Sequence, residues 1–195
     1  MPRDTSTVRT RFCVLAALAS LLVFTRPARA FEREWHIGGG VGFASLPETD
    51  YATGVAAGIH AAYGLSDMFD LRLELMASRH TYPPIEVPFT PAALLLSAAA
   101  GPAYKLDVGD WIPYAALLVG YYAFLGNSPS VLGLETPPDQ SPGASVALGL
   151  DWGPLPHLGL GLQIRFHELF FDLPSSLEQT SAFSLLLRAE WRFGR

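Results

Sequence analysis

Charged, amide and histidine side chains recur at alternate positions in several segments of this sequence. Alternate residues of an extended strand point to one face, so these side chains would meet inside a closed sheet. Both signs are present, and a buried charge without a partner is costly, so the signs should pair. The pattern predicts a lumen charge network of Arg72, Glu74, Lys105, Asp151, Arg165, Arg188, Glu190 and Arg192, with Gln163 and His167 as further members.

A possible cross-strand pair of histidines, His36 and His60, allows a second chemistry. A hairpin centred near residue 48 would place the two imidazoles opposite one another, and Glu34 or Glu74 could join them around a metal ion. Structural zinc sites usually take four ligands, however, and two histidines fall short of that number. We therefore expect these histidines to form hydrogen bonds to Arg72, Glu74 or Glu190, and we predict no metal and no cofactor.

A hydroxyl and an imidazole also fall on one strand face, at Ser78 and His80, with Glu86 in the loop that follows. Nucleophilic catalysis needs a nucleophile and a base within hydrogen-bond reach. The alternative is a polar strand end that enters a loop, and it is the interpretation we favour. We predict no catalytic residues and no enzyme.

Eight segments of alternating or strand-like character must position these residues. In the last one, every second residue from Phe183 to Phe193 is apolar and most of the residues between them are polar or charged. No stretch after the first thirty residues offers about twenty apolar residues in a row, so helical membrane spans are excluded. The predicted strands cover residues 34–44, 53–64, 69–80, 92–105, 111–125, 144–152, 157–171 and 183–193. The fifth is apolar on both faces, and its orientation stays open.

The connections between these segments alternate in length. Those near residues 66, 108 and 155 are short, whereas 82–91 and 126–143 are long and rich in Pro, Gly and Ser. Short periplasmic turns and longer outer loops are typical of membrane barrels. Because an open strand edge is costly in hydrocarbon, the sheet should close. We predict an all-β fold, an eight-stranded antiparallel up-and-down transmembrane β-barrel. A soluble barrel with its apolar face inward is the structural competitor.

Aromatic residues cluster near the predicted periplasmic strand ends, where membrane barrels carry an aromatic girdle. The alternative is aromatic core packing in a soluble sandwich. The predicted girdle consists of Trp35, Tyr63, Phe69, Tyr104, Trp111, Trp152, Trp191 and Phe193.

Two of the long loops carry apolar residues that could form an interaction patch. The first is stiffened by four prolines between residues 83 and 91. These residues could receive a hydrophobic small molecule or a surface partner, or could simply extend the barrel rim into lipopolysaccharide. The predicted outer-loop apolar patch comprises Tyr82, Ile85, Val87, Phe89, Val131, Leu132 and Leu134.

The N-terminus has the features of a cleaved signal peptide, residues 1–30. Arginines precede the apolar run 12–24, and Ala28-Arg29-Ala30 has the small-x-small form of a cleavage site. Cleavage leaves residues 31–195 as one barrel domain without cysteine. It removes five of 13 basic and one of 18 acidic residues, leaving eight against 17 and a formal charge of −9. Nucleic acid, which requires a basic face, is not an expected partner.

Three segments carry a resemblance to a known family: TGVAAGIHAAYGLSDMFDLRLELMA (53–77), WIPYAALLVGYYAF (111–124) and LLLRAEWRF (185–193). With the signal peptide, they make the chain similar to the small outer-membrane β-barrels, the OmpA/OmpX/OmpW-like membrane domains. The resemblance implies a cell outer-membrane location, with membrane lipid, lipopolysaccharide and the barrel-assembly machinery as partners. Members usually end on an aromatic residue, whereas here Gly194 and Arg195 follow Phe193.

The family resemblance does not name an activity, because one fold carries many functions. We expect a non-enzymatic barrel with a structural or surface-interaction role and a lumen plugged by charged side chains. The first alternative is binding or passage of small hydrophobic molecules at the outer mouth, as in the OmpW-like branch. The second is an enzyme that modifies the acyl chains of lipid A, as some eight-stranded barrels do.

Overall fold

A computed structural model describes five ranges of the chain, residues 33–47, 52–81, 92–126, 139–170 and 181–194. They form a single antiparallel sheet in which each strand pairs with the next and the last pairs with the first. The strands are β1 (Trp35–Leu46), β2 (Ala52–Gly64), β3 (Phe69–Thr81), β4 (Ala92–Lys105), β5 (Trp111–Gly126), β6 (Asp139–Leu155), β7 (Leu158–Leu169) and β8 (Ser181–Phe193). The predicted eight-stranded up-and-down barrel is confirmed. Within these ranges, no helix has the length and apolar character to cross a bilayer.

The first strand begins and the last strand ends at the same rim of the barrel, which we call the terminal rim. β1 begins there beside the end of β8, where Trp35 pairs with Phe193. The three connections at this rim, 65–68, 106–110 and 156–157, are short. In the second of them Gly109 has a φ of 74°, a backbone conformation that a side chain would strain. The opposite, distal rim carries the connections 47–51, 82–91, 127–138 and 170–180, and the last three are longer than any at the terminal rim.

The faces of the wall follow the sequence alternation. Leu160, Leu187 and Trp191 are 40, 67 and 55% exposed on the outside, whereas Arg165 and Arg188 are 1 and 6% exposed inside. A soluble barrel would show the opposite arrangement, because its large apolar side chains would fill the interior. The apolar exterior suits hydrocarbon, as expected for a transmembrane barrel.

Most strands lie within two residues of their predicted bounds, whereas β6 differs more and β5 gains an orientation. β6 begins at Asp139 rather than at 144, because Pro142 tolerates the extended backbone and keeps a carbonyl that accepts a hydrogen bond from the Phe170 amide at 3.0 Å. The strand also continues past Trp152 through an irregular register to Leu155. In β5 the side chains of Tyr114 and Leu118 are buried, which settles the orientation that the sequence left open.

Candidate functional site

The described part of the lumen holds ten buried charged residues, five acidic and five basic. The acidic set adds Glu34 and Asp70 to the predicted Glu74, Asp151 and Glu190; the basic set is Arg72, Lys105, Arg165, Arg188 and Arg192. Every member of the predicted lumen charge network is therefore buried inside the barrel. Glu34 and Asp70 were not in that prediction, although Asp70 alternates with Arg72 and Glu74 along β3 and could have been included.

Glu190 is the centre of this network. Its Oε1 accepts a hydrogen bond from Arg192 Nε at 2.8 Å and lies 3.1 Å from His36 Nδ1. Its Oε2 lies 3.3 Å from His60 Nε2 and 3.4 Å from Arg188. Charge-assisted hydrogen bonds of this kind are stronger than neutral ones. One carboxylate thus contacts four side chains from three strands, β1, β2 and β8.

The predicted direct opposition of His36 and His60 is wrong. The register pairs His36 with Ala62 and Gly38 with His60, because the hairpin is centred one residue later than the sequence suggested. The two histidines sit two positions apart and meet on Glu190 instead of on each other. Across the described ranges, no three His, Cys, Asp or Glu side chains group so as to hold a metal ion.

A second group of ion pairs surrounds Glu74. Its two carboxylate oxygens lie 2.5 Å from Arg72 and 2.5 Å from Arg165. Arg165 also donates to the Ser145 hydroxyl at 2.8 and 3.0 Å. Further pairs among the described residues are Lys105 with Asp70 at 2.5 Å, Arg188 with Asp151 at 3.7 Å and His36 with Glu34 at 3.7 Å. The two signs are therefore distributed as compact local pairs and not as separate positive and negative surfaces.

Tyr114 links the Glu74 and Glu190 groups, and sequence reasoning missed it. The guanidinium carbons of Arg72 and Arg188 lie 4.9 and 5.0 Å from its ring centre. Its hydroxyl donates to Gln163 at 2.9 Å and accepts from Arg188. The ring fits because Gly149 faces it, and a Cβ at that glycine would collide with the ring. Since β5 is apolar on both faces, no alternation marked Tyr114 as a lumen residue.

The distal half of the lumen is apolar instead of charged. The sequence pattern predicted a lumen plugged by charged side chains, and in this half that prediction is wrong. A hydrophobic cluster fills this half: Leu46, Ala52, Leu95, Tyr122, Phe124, Leu169 and Ala182. Each is at most 5% exposed. These side chains come from β1, β2, β4, β5, β7 and β8, and together they fill this end of the described lumen.

Ser78 and His80 lie beside this cluster and contact each other. The Ser78 hydroxyl and His80 Nε2 are 2.8 Å apart, and the two residues are 1 and 0% exposed. A nucleophile and a base are thus within reach, but they are enclosed inside the lumen. Glu86, the third residue considered for this group, lies outside the described residues.

The cavity beside the charge network is very small. It has a volume of about 10 Å³ and is lined by Gly58, His60, Glu74, Gln163 and Arg188 among others. A space of this size holds about one water molecule. The described part of the lumen is therefore filled by side chains, and it can exchange hydrogen bonds but offers no room for a ligand at this level.

The eight predicted girdle residues all lie near the terminal rim. Six of them form ring pairs, one pair in each of the first three hairpins: Trp35 with Tyr63, Phe69 with Tyr104, and Trp111 with Trp152, at 4.9, 5.2 and 6.4 Å. In the fourth hairpin Trp191 stacks with His157 at 5.8 Å. Every residue of the predicted outer-loop apolar patch lies outside the described residues: Tyr82, Ile85, Val87, Phe89, Val131, Leu132 and Leu134.

Comparison with known proteins supports the fold. No protein-family model and no curated protein sequence matches the chain. Among solved structures, the outer membrane protein OprG of Pseudomonas aeruginosa matches with a TM-score of 0.62 and 15% identity, over 84% of this chain and 97% of that one. Neisserial surface protein A matches with a TM-score of 0.61 and 17% identity, over 85% of this chain and 99% of that one. Ail of Yersinia pestis matches with a TM-score of 0.58 and 16% identity, over 83% of this chain and 99% of that one. The chain has the fold of the small outer-membrane barrels.

Proposed function

We propose that this protein is a non-enzymatic outer-membrane barrel with a closed lumen and a structural or surface-interaction role. The observation that carries the proposal is the balance of five acidic and five basic buried residues in local pairs. A channel for ions or polar solutes would need a continuous wet path. In the described lumen the charged side chains are paired with each other or with a histidine, and the distal half is packed with apolar side chains.

The energetics of the lumen support a plug. An eight-stranded barrel has an interior just wide enough for side chains to fill. Desolvating ten charges is costly, and mutual pairing with added hydrogen bonds offsets that cost. An opening wide enough for transport would separate the residues around Glu74 from those around Glu190. Some of the buried charges in both groups would then lose their ion-pair partners. The charge network therefore favours a permanently closed state.

We further propose that residues 1–30 direct export and are removed, and that the assembly machinery inserts residues 31–195 with the terminal rim on the periplasmic side. The short connections at that rim fit the short periplasmic turns of membrane barrels. Cell fractionation should place the protein in the outer membrane, soluble only in detergent. Its gel mobility should change on heating, and N-terminal sequencing should begin at Phe31.

Reconstitution in planar lipid bilayers tests the closed lumen. We expect no steady single-channel steps from folded protein at either polarity, with a wide general porin in the same membrane as the positive control. A heat-shifted gel band before and after recording confirms that folded protein was present. Reproducible conductance steps from the folded form would contradict the proposal.

The second candidate function is binding of small hydrophobic molecules at the outer mouth. The apolar cluster of the distal half favours it, because Leu46, Leu95 and Phe124 would form the floor of any mouth site. Partition of an apolar fluorescent probe into the folded protein tests this idea. We expect binding to fall in a Phe124→Ala variant if the floor contributes, whereas no saturable binding by the folded protein would exclude it.

The third candidate is a lipid A-modifying acyl enzyme, and the Ser78–His80 contact is its best support. Both groups are enclosed, however, and a membrane lipid would have to enter the lumen to reach them. We expect identical lipid A mass spectra from cells that produce the natural protein, Ser78→Ala or His80→Ala. Loss of a modified lipid A species in both variants would establish catalysis.

A further inference from the structure

A broad apolar groove crosses the outside of the barrel on β1 to β5. Its volume is about 800 Å³. Four small residues, Gly39, Ala57, Ala77 and Ala98, form much of its floor, and side chains such as Ile59 and Tyr121 form its sides. Five of the eight strands contribute to it, which at roughly 4.8 Å per strand spacing is an arc of about 19 Å along the curved wall. The groove therefore belongs to the exposed, hydrocarbon-facing surface and is separate from the lumen.

The opposite wall differs. On β6 to β8 large apolar side chains stand on the outer face, including Leu148, Leu162 and Leu187, which are 54, 42 and 67% exposed. A dense layer of protruding side chains offers lipid a rough, convex surface. The recess on β1 to β5 instead allows a flexible apolar molecule to lie close to the backbone. Since lipid tails are as apolar as leucine, packing shape decides whether a chain stays there.

An exposed cation stands at the distal end of the groove. Arg79 is the next outward residue after Ala77 on β3, about 7 Å further along the strand. It lies between Val55 on β2 and Leu94 on β4. Among the described strand residues, Arg79 is the one Arg or Lys with an exposed side chain, and no described carboxylate forms an ion pair with it. Five other strand cations are buried in the lumen.

We propose that the groove and Arg79 together bind one phosphorylated, multiply acylated glycolipid of the outer leaflet, of the lipid A type. A guanidinium binds phosphate through two parallel hydrogen bonds and is weakly hydrated, which suits the membrane interface. The acyl chains lie in the recess and the phosphate meets Arg79 above it. The extent of the groove around five strands favours a lipid with several chains over a two-chain phospholipid. The assignment of the leaflet rests on the proposed orientation of the barrel.

The test uses the folded mature protein in non-ionic detergent and native mass spectrometry of bound lipid. The probes are bisphosphorylated lipid A, its dephosphorylated form and phosphatidylglycerol. We expect saturable binding of one lipid A, at least about tenfold tighter than of either other lipid. Ala77→Leu fills the floor and should weaken lipid A binding about tenfold. Arg79→Gln should abolish the preference for the phosphorylated form, and Arg79→Lys should restore part of it.

Two variants on the opposite wall are the matched controls. Ala144→Leu adds the same bulk on the outside of β6, and Glu168→Gln removes an exposed charge near the distal end of β7. Both should bind lipid A as the natural protein does. Equal binding of all three lipids, an effect of Ala144→Leu equal to that of Ala77→Leu, or a protein dimer lost in Ala77→Leu would overturn the proposal. A folded, non-conducting barrel without lipid A preference would leave the proposed closed-lumen function intact.

Discussion

The two halves of the lumen are filled by different physical means. The terminal half contains the charge network around Glu190 and Glu74, whereas the distal half contains the apolar cluster around Leu95 and Phe124. Hydrogen bonds and ion pairs depend on direction and distance, so the terminal half tolerates few alternative arrangements. The distal half is held by burial and packing, which depend on volume. The same barrel is therefore stabilised by hydrogen bonds and ion pairs in its terminal half and by apolar packing in its distal half.

The difference indicates a division of roles. Removing one partner of a buried ion pair leaves an uncompensated charge, so the terminal half should respond sharply to single substitutions. The distal half should respond in proportion to the volume removed. Because the same strands carry both halves, substitutions in either half can be compared in one unfolding assay. The following variants make that comparison, in order of decreasing expected effect.

The largest effect should follow Glu190→Ala, which removes the acceptor shared by His36, His60 and Arg192. We expect the free energy of unfolding to fall by about 3–5 kcal/mol, because the cations remain buried without their partner. Urea-induced unfolding in lipid vesicles, followed by tryptophan fluorescence, measures the change. Glu168→Ala is the control, since Glu168 is exposed. Equal effects of the two substitutions would show that the charge network contributes no special stability.

Leu95→Ala should have the next largest effect, in the distal half. Leu95 is 1% exposed, and its truncation should cost about 2–4 kcal/mol through lost burial and a residual cavity. Leu96→Ala is the matched control in the adjacent position, because Leu96 is 37% exposed on the outer face. The same unfolding assay should show a clear difference between these neighbours. If Leu96→Ala proves the more harmful, the inward assignment of the distal cluster is wrong.

Gly149→Ala tests the fit between strands in the terminal half. A Cβ at this position would collide with the Tyr114 ring, so the ring or the strand must shift. We expect a loss of about 1–3 kcal/mol, the usual range for overpacking. Gly39→Ala makes a comparison outside the lumen, since its Cβ would approach the Gly58 carbonyl oxygen at 3.0 Å and no ring. Indistinguishable stabilities for the two variants would contradict a tight Gly149–Tyr114 contact.

The smallest effect should come from Ser78→Ala, beside the distal cluster. The substitution removes the hydrogen bond to His80 and leaves a small apolar side chain in place of the hydroxyl. We expect a loss of about 1 kcal/mol, as for a single neutral hydrogen bond. Ala77→Ser is the control, because it makes the reverse substitution at the adjacent position on the outer face. A loss above about 3 kcal/mol would place Ser78 in a larger polar network than the one described.

The sequence predicted the wall of the barrel better than its filling. Alternation alone gave the outward face of residues such as Leu187 and the inward face of Arg188, because a lipid-facing side and a polar side differ in composition along every clear strand. It failed where both faces are apolar. In β5 nothing distinguishes inward Leu118 from outward Leu117, so the apolar distal filling and the role of Tyr114 were out of reach.

Register was the other missing quantity. His36 and His60 were placed on the correct face, but their relative height depends on the geometry of a turn that their own spacing does not specify. Their common partner, Glu190, lies 154 residues from His36 and reaches it only because β8 closes against β1. The start of β6 was missed because Ser141-Pro142-Gly143 has the composition of a loop.

All four tryptophans of the chain lie at the terminal rim, on the first, fifth, sixth and eighth strands. The indole ring favours the boundary between headgroups and hydrocarbon. With four tryptophans at a single level, we expect the terminal rim to keep a fixed depth relative to one membrane interface. The depth of the distal rim relative to the other interface is then less strongly fixed. Variation in bilayer thickness should then be accommodated beside the distal rim, so that thicker membranes bury more of the strand ends there and leave the tryptophan level unchanged.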